Sequence, residues 1–268
     1  MHIRVGFDLT FETPGPVPLL LMLYVHPSRA GDLVHPEQIH IHPNAFISTF
    51  IDTFGNRCGL VVAPTGVWRL THEAMLRDPG QPDPVDIYAQ QSDISQLPED
   101  TIQFLFASRY CEVDRLTDIA WSLFGNTPTG WQRVQAVCNW VHNHIKFGYQ
   151  FARPTKTAFD VYIERTGVCR DYSHLLITML RCLSIPARYA TGYLRDIGVP
   201  IDPAPMDFSA WTEVYIGGNW YTFDGRNNQR RIGRIVMARG RDAADVALTT
   251  SFGKCDLKKF CVITQEQK

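Results

Sequence analysis

The tightest constraint on the fold of this chain is a change of hydrophobic period at Ile185-Pro186. Upstream, Arg165–Leu183 carries apolar residues at Leu175, Leu176, Met179, Leu180 and Leu183. That spacing predicts a helix packed on a core through one stripe. Thr166-Gly167 breaks what precedes it. Pro186 stops the helix, because proline denies its predecessor the α conformation. Downstream the period is two: Ala187–Tyr193, Trp211–Ile216 and Asn219–Phe223, with Gly217-Gly218 as a hairpin signal between the last two. A helix followed by antiparallel strands makes an α+β unit.

The front of the chain reads differently. Ile3, Val5 and Phe7 alternate with polar neighbours, and Leu19–Tyr24 is a continuous apolar run. Ile39 and Ile41 alternate with His40 and His42. Phe46–Phe54, Cys58–Val62 and Gly66–Leu70 follow, with Gly, Pro and Asn between them. Short strands separated by turn residues predict an antiparallel sandwich or barrel. The segment Arg77–Val85 holds three prolines and a glycine and reads as a linker. We therefore expect a β-rich unit over 1–85 and a second unit over 86–268. Helices are expected from Leu97-Pro98 to Ser108, over Thr117–Gly125, over Thr129–Phe147 and over Thr157–Glu164. A last strand is expected at Phe260–Thr264, with a loose tail.

The helix of the opening paragraph begins at Cys169. Free backbone N–H groups and the positive end of the macrodipole lie there, and both favour thiolate, the nucleophilic form. The seven cysteines are scattered without a CxxC pair, which argues for reduced thiols over disulfides or zinc. His40 and His42 share a strand face but have no cysteine near them in sequence, so no metal and no cofactor is expected. Net charge is -1, which gives no reason to propose nucleic acid or an anionic membrane as partner. The run Arg226–Arg241 is basic, but it has few interleaved aromatics and reads as a solvated or salt-bridged surface. Met1–Asp8 lacks the basic and apolar regions of a signal peptide, and Pro18–Val25 is too short to span a bilayer. The expected location is the cytoplasm.

Four ordered motifs carry a resemblance: Thr166-Gly-Val-Cys-Arg-Asp-Tyr172, Ile185-Pro-Ala-Arg-Tyr-Ala-Thr-Gly-Tyr193, Ala210-Trp-Thr-Glu-Val-Tyr215 and Trp220-Tyr-Thr-Phe-Asp224. Together they resemble the core of the bacterial transglutaminase-like superfamily, papain-like thiol enzymes often described as cysteine proteases. The β-rich front resembles the N-terminal region of many bacterial members. The resemblance implies a Cys-bearing helix on an antiparallel sheet, with a His and an Asp on consecutive strands. Cys169 matches the nucleophile, and Asp224 matches the acid that orients the His. The position of that His, directly before Ala210-Trp211, is Ser209.

All nine histidines lie at or before His174, so no Cys–His dyad of the family's chain order exists here. Serine takes no proton near neutral pH and does not replace imidazole. Ser209 reads as drift in an inactive enzyme, as a deliberate replacement of His, or as a hydroxyl that bonds the thiol or holds a water. His174 points about 140° away from Cys169 on a helix and reads as a core residue. His142 and His144, on the preceding helix, read as solvated or capping groups. Asp207, two residues before Ser209, is a candidate weak base. Asp171 reads as a helix cap. The backbone N–H of Cys169 is the first candidate oxyanion donor, with Trp131, Tyr149 and Trp211 as alternatives for the second. The segments Tyr110-Cys111-Glu112 and Arg153-Pro154-Thr155 read as loops near the site.

Two functions follow as expectations. The first is a thiol hydrolase or acyltransferase in which Cys169 attacks a peptide or isopeptide amide. The second is a catalytically silent relative that binds a peptide or partner in the same cleft. A weaker third is a structural subunit that assembles through its β-rich unit.

Overall fold

The computed structural model describes residues 1–203 and 206–267. Six strands open the chain: β1 (His2–Thr13), β2 (Val17–Leu21), β3 (Ile39–His42), β4 (Ile47–Ile51), β5 (Arg57–Ala63) and β6 (Gly66–Arg77). Four helical segments and two short strands follow: α1 (Glu99–Ile102), α2 (Val113–Phe124), α3 (Trp131–His144), β7 (Lys146–Phe147), α4 (Ala158–Glu164) and β8 (Thr166–Gly167). Then come α5 (Cys169–Cys182), β9 (Ala187–Tyr193), β10 (Ser209–Ile216), β11 (Asn219–Phe223), β12 (Ile235–Gly240), β13 (Thr249–Ser251) and β14 (Asp256–Gln267).

The fold is α+β. At the front, two antiparallel sheets, ordered β14-β1-β6-β3 and β13-β2-β5-β4, share one apolar core. Both are open at their edges, so the front is a sandwich and not a closed barrel. Alternation explains it: Ile3, Val5, Phe7, Leu9 and Phe11 of β1 face inward, as do Trp68, Leu70, Ala74 and Leu76 of β6. The segment 249–267 returns to this sandwich. β14 pairs with β1 from His2↔Gln267 to Glu12↔Asp256, and β13 pairs with β2. The linker Arg77–Val85 is irregular beyond β6 but tied down. Asp83 Oδ2 accepts from the Arg231 amide at 2.9 Å, and Pro82 bridges to Ile232.

The second core lies between the sheet β11-β10-β9-β12 and the helices. The β10–β11 hairpin turns at Gly217-Gly218, both at positive φ. The helix α5 is buried all round from Asp171 to Cys182, not on one stripe. It packs on β9 and β10 on one side and on α2, α3 and α4 on the other. Its polar residues are internalised by hydrogen bonding. Thr178 Oγ1 donates to the His174 carbonyl at 2.7 Å, and Arg181 donates to the carbonyls of Ala187, Phe106 and Arg241. Gly167 is required just before this helix, because a Cβ there would stand 2.6 Å from Asp171 Cβ. The Asp171 carboxylate accepts from the Val168 amide at 2.9 Å and caps the helix, as expected.

Phe208, the residue before β10, is buried in the front core. Its ring lies 6.3 Å from Phe7, 5.2 Å from Tyr193 and 5.8 Å from Phe260, centroid to centroid. The sandwich therefore grips the start of the strand that carries Ser209.

Candidate active site

Cys169 is the first residue of α5, held by the Gly167 turn on one side and by β10 on the other. The backbone amides of Ala210 and Arg170 are directed at its sulfur. Ser209, directly before Ala210, opens β10, and its carbonyl accepts from Thr191 Oγ1 at 3.0 Å. Two cavities, of about 210 Å³ and about 480 Å³, are each lined by Cys169, Asp207, Phe208 and Ser209. The thiol thus stands at the junction of a cleft that continues on both sides. Tyr149, Arg195 and Arg226 line the smaller side. Tyr110, Arg153, Pro154 and Tyr189 line the larger one, so the two loops singled out from the sequence both reach the cleft.

The electrostatics reverse one expectation. Burial pushes the Cys169 thiol up to about 11, and the charge of Asp207 adds to this, while Arg226 and the Ala210 and Arg170 amides work against it. The helix N-terminus does not win: desolvation of the thiolate outweighs the amides aimed at it. Asp207 is itself raised by burial, against the Phe208 amide and Arg226, which favour its ionised form. The carboxyl ionises first, and its charge then penalises the thiolate.

Asp224 lies elsewhere in its contacts. Its Oδ2 accepts from Arg234 Nη2 at 2.9 Å and from Asn227 Nδ2 at 2.8 Å, and its Oδ1 accepts from the Asn227 amide at 2.9 Å. Burial works to raise this carboxyl, but Arg234 and Asn227 hold it below its ordinary value. Asp224 lines neither cavity at Cys169; it borders a separate one with Asp83, Trp131 and Cys138.

Among the described residues no histidine lines either cavity at the thiol. His174 is buried; its Nε2 accepts from the Ala243 amide at 3.1 Å, and its ring stacks on Tyr110 at 4.9 Å. Burial, then Arg170 and Arg181, hold it well below its ordinary value, so it stays neutral. His142 Nδ1 bonds the Arg226 carbonyl at 2.9 Å, and His144 Nε2 bonds that of Tyr162 at 2.8 Å. Of the candidate second oxyanion donors, Tyr149 borders the Cys169 cavity. Trp131 packs on Tyr221 and Phe223, and Trp211 is buried under Arg234. Among the described residues no group of His, Cys, Asp and Glu could hold a metal ion.

Sequence reasoning missed two partners. Asp83, in the proline-rich linker, joins Asp224 on the Arg234 guanidinium. Phe208 anchors the strand start, and its signal was an apolar ring between Asp207 and Ser209.

The profile of the Transglutaminase-like superfamily matches residues 118–225, a span that holds Cys169, Ser209 and Asp224. A crystal structure from Cytophaga hutchinsonii, described as a "Putative Cysteine Protease", is 30% identical with a TM-score of 0.84 and covers 99% of this chain and 90% of its own. The chain belongs to the transglutaminase-like superfamily. An uncharacterised protein of Mycobacterium leprae is 29% identical over 142 residues, 49% of this chain and 50% of that protein. The human kyphoscoliosis peptidase is 26% identical over 159 residues, 54% of this transglutaminase-like chain and 24% of the peptidase. The match thus spans half of the mycobacterial relative and about a quarter of the human one. No helix among the described residues is long and apolar enough to cross a membrane.

Proposed function

We propose that this transglutaminase-like protein binds a peptide segment in the cleft that passes Cys169 and does not hydrolyse it at neutral pH. The observation that carries the reading is what stands against the thiol: a hydroxyl, Ser209, and a carboxyl, Asp207, with no imidazole. Burial pushes the thiol up to about 11, so at pH 7 only about one sulfur in 10⁴ is thiolate. A positioned general base contributes about 10²–10⁴-fold to rate, and here that factor has no residue to supply it. The cleft itself is open on both sides of Cys169, a shape suited to an extended chain. Fluorescence anisotropy with short labelled peptides, run beside an amide-hydrolysis assay at pH 7, tests this. Binding without turnover is expected; turnover abolished by Cys169→Ala would refute the silent reading.

One observation favours a second reading. The Ala210 and Arg170 amides aimed at the sulfur would stabilise negative charge as the thiolate forms. In alkaline solution Cys169 would then attack an amide carbonyl. A C–S bond forms, the C–N bond breaks, the leaving amine takes a proton from water, and water or a second amine resolves the thioester. The rate of such a reaction would climb with pH towards about 11. A flat pH profile excludes it.

A further inference from the structure

The two halves of the cleft differ in chemistry. The larger cavity is walled by Tyr110, Pro154, Val168, Tyr189, Val246 and Leu248. Its two arginines are occupied. Arg153 pairs with Glu164 at 2.7 Å and Asp160 at 3.2 Å, and Arg170 donates to the Arg153 carbonyl at 2.7 Å. The smaller cavity is charged. There Arg231 pairs with Asp196 at 2.6 Å, and Arg226 with Asp202 at 3.8 Å.

Arg195 breaks this pattern. Its backbone carbonyl serves Arg231 at 2.9 Å, but its guanidinium has no carboxylate partner among the described residues. Among the described residues its guanidinium donates only from Nη1 to the thioether of Met206 at 3.0 Å, a weak acceptor. A guanidinium carries a fixed charge and a fork of donors matched to a carboxylate. Asp207, whose charge opposes the Cys169 thiolate, lines both cavities, whereas Arg195 lines only the smaller one. An acidic side chain reaching Arg195 therefore binds on one side of the junction and not at the thiol.

We propose that the cleft selects a peptide carrying an acidic side chain on the Arg195 side of Cys169 and an apolar side chain on the other. This rests on the peptide-binding reading above and adds the ligand class. The test uses fluorescein-labelled, end-capped peptides holding one Phe and one Glu with two alanines between, in both orders. Parallel peptides replace Glu by Gln or Lys. Wild type is expected to bind one order of the Phe/Glu pair at least about tenfold more tightly than its Gln counterpart, with Lys weaker still. Arg195→Met should erase the Glu preference and leave the Phe preference, and the Glu preference should shrink with added salt. Because the ligand-side exchange of Glu for Gln needs no protein variant, misfolding of Arg195→Met does not block the test. Equal binding of Glu, Gln and Lys peptides overturns the role of Arg195 and leaves the cleft reading standing. No binding by any peptide of the panel overturns the cleft reading, and this inference with it.

Discussion

Arg234 donates from Nη2 to Oδ2 of Asp224 at 2.9 Å, and both side chains are buried. The same guanidinium donates from Nε to Asp83 Oδ2 at 2.9 Å and lies over the Trp211 ring at 5.1 Å. The carboxylate that the family resemblance assigns to orienting an imidazole is thus tied into a three-residue ionic cluster. That cluster also fastens the linker to the second core.

Removing the cation leaves two carboxylates facing each other without compensation. Arg234→Met should cost about 3–5 kcal/mol of stability, read from urea unfolding. Its pH dependence is signed. The Asp224 carboxyl is held below its ordinary value, so its contribution is present above about pH 4 and is lost as pH falls through the folded value. In Arg234→Met this acid-side loss should vanish. An unchanged acid limb in the variant would show that Asp224 is not the group concerned.

The Cys169 thiol should alkylate slowly. At pH 8 the rate with iodoacetamide is expected to lie about a hundredfold below that of the unfolded chain, because about 11 replaces the ordinary 9.0. The linked stability term is intact below pH 9.0 and is lost as pH rises through about 11. Asp207→Asn should bring the alkylation midpoint down, since it removes a charge that opposes the thiolate. Peptide mapping of the adduct after a pH series gives the answer.

Restoring imidazole should matter more for the sulfur than for turnover. Ser209→His places a ring beside both cavities at Cys169, and alkylation at pH 7 should rise by at least about tenfold. Hydrolysis of an activated ester should rise as well, by less than the 10²–10⁴-fold of a well-oriented base, because Asp224 stays engaged by Arg234. No change in either rate would mean that position 209 does not face the thiol.

Phe208→Ala should empty the place this ring fills in the front core. Loss of a buried Phe costs about 3–5 kcal/mol, and here it also frees the start of β10. Peptide binding, measured under conditions where the variant stays folded, should weaken together with stability. Full affinity in a destabilised variant would separate the anchor from the cleft.

The Cys169 helix, its stop at Pro186 and the strands β9 to β11 were legible because local period, turn residues and burial agree there. Elsewhere tertiary contacts overrode the pattern. The sequence suggests a strand ending at Leu70, yet β6 runs to Arg77. His72 interrupts the apolar alternation but faces inward, stacked on Phe7 and bonded to Glu37 at 3.0 Å. The expected helix to Ser108 shrinks to Glu99–Ile102 and one 3₁₀ turn, because its continuation is the loop whose Phe106 carbonyl accepts from Arg181. The final strand spans Asp256–Gln267, where Phe260–Thr264 was expected. Most of it is exposed, so its partner β1 defines it more than its own alternation. Cys169 was visible as a helix start, but its protonation was not, because the depth of the sulfur depends on β10. Arg195 had no local signal at all: what marks it is the lack of a carboxylate partner among the described residues.

The pairing of β1 with β14 has a consequence for how the molecule is made. The β1–β14 ladder joins segments far apart in sequence, with the helices and the sheet β11-β10-β9-β12 lying between them along the chain. Without β14, β1 keeps β6 on one flank and presents unpaired backbone N–H and C=O groups on the other. Closing a loop of that length is costly, so a variant cut short of β14 should leave this edge open to strand addition by another chain.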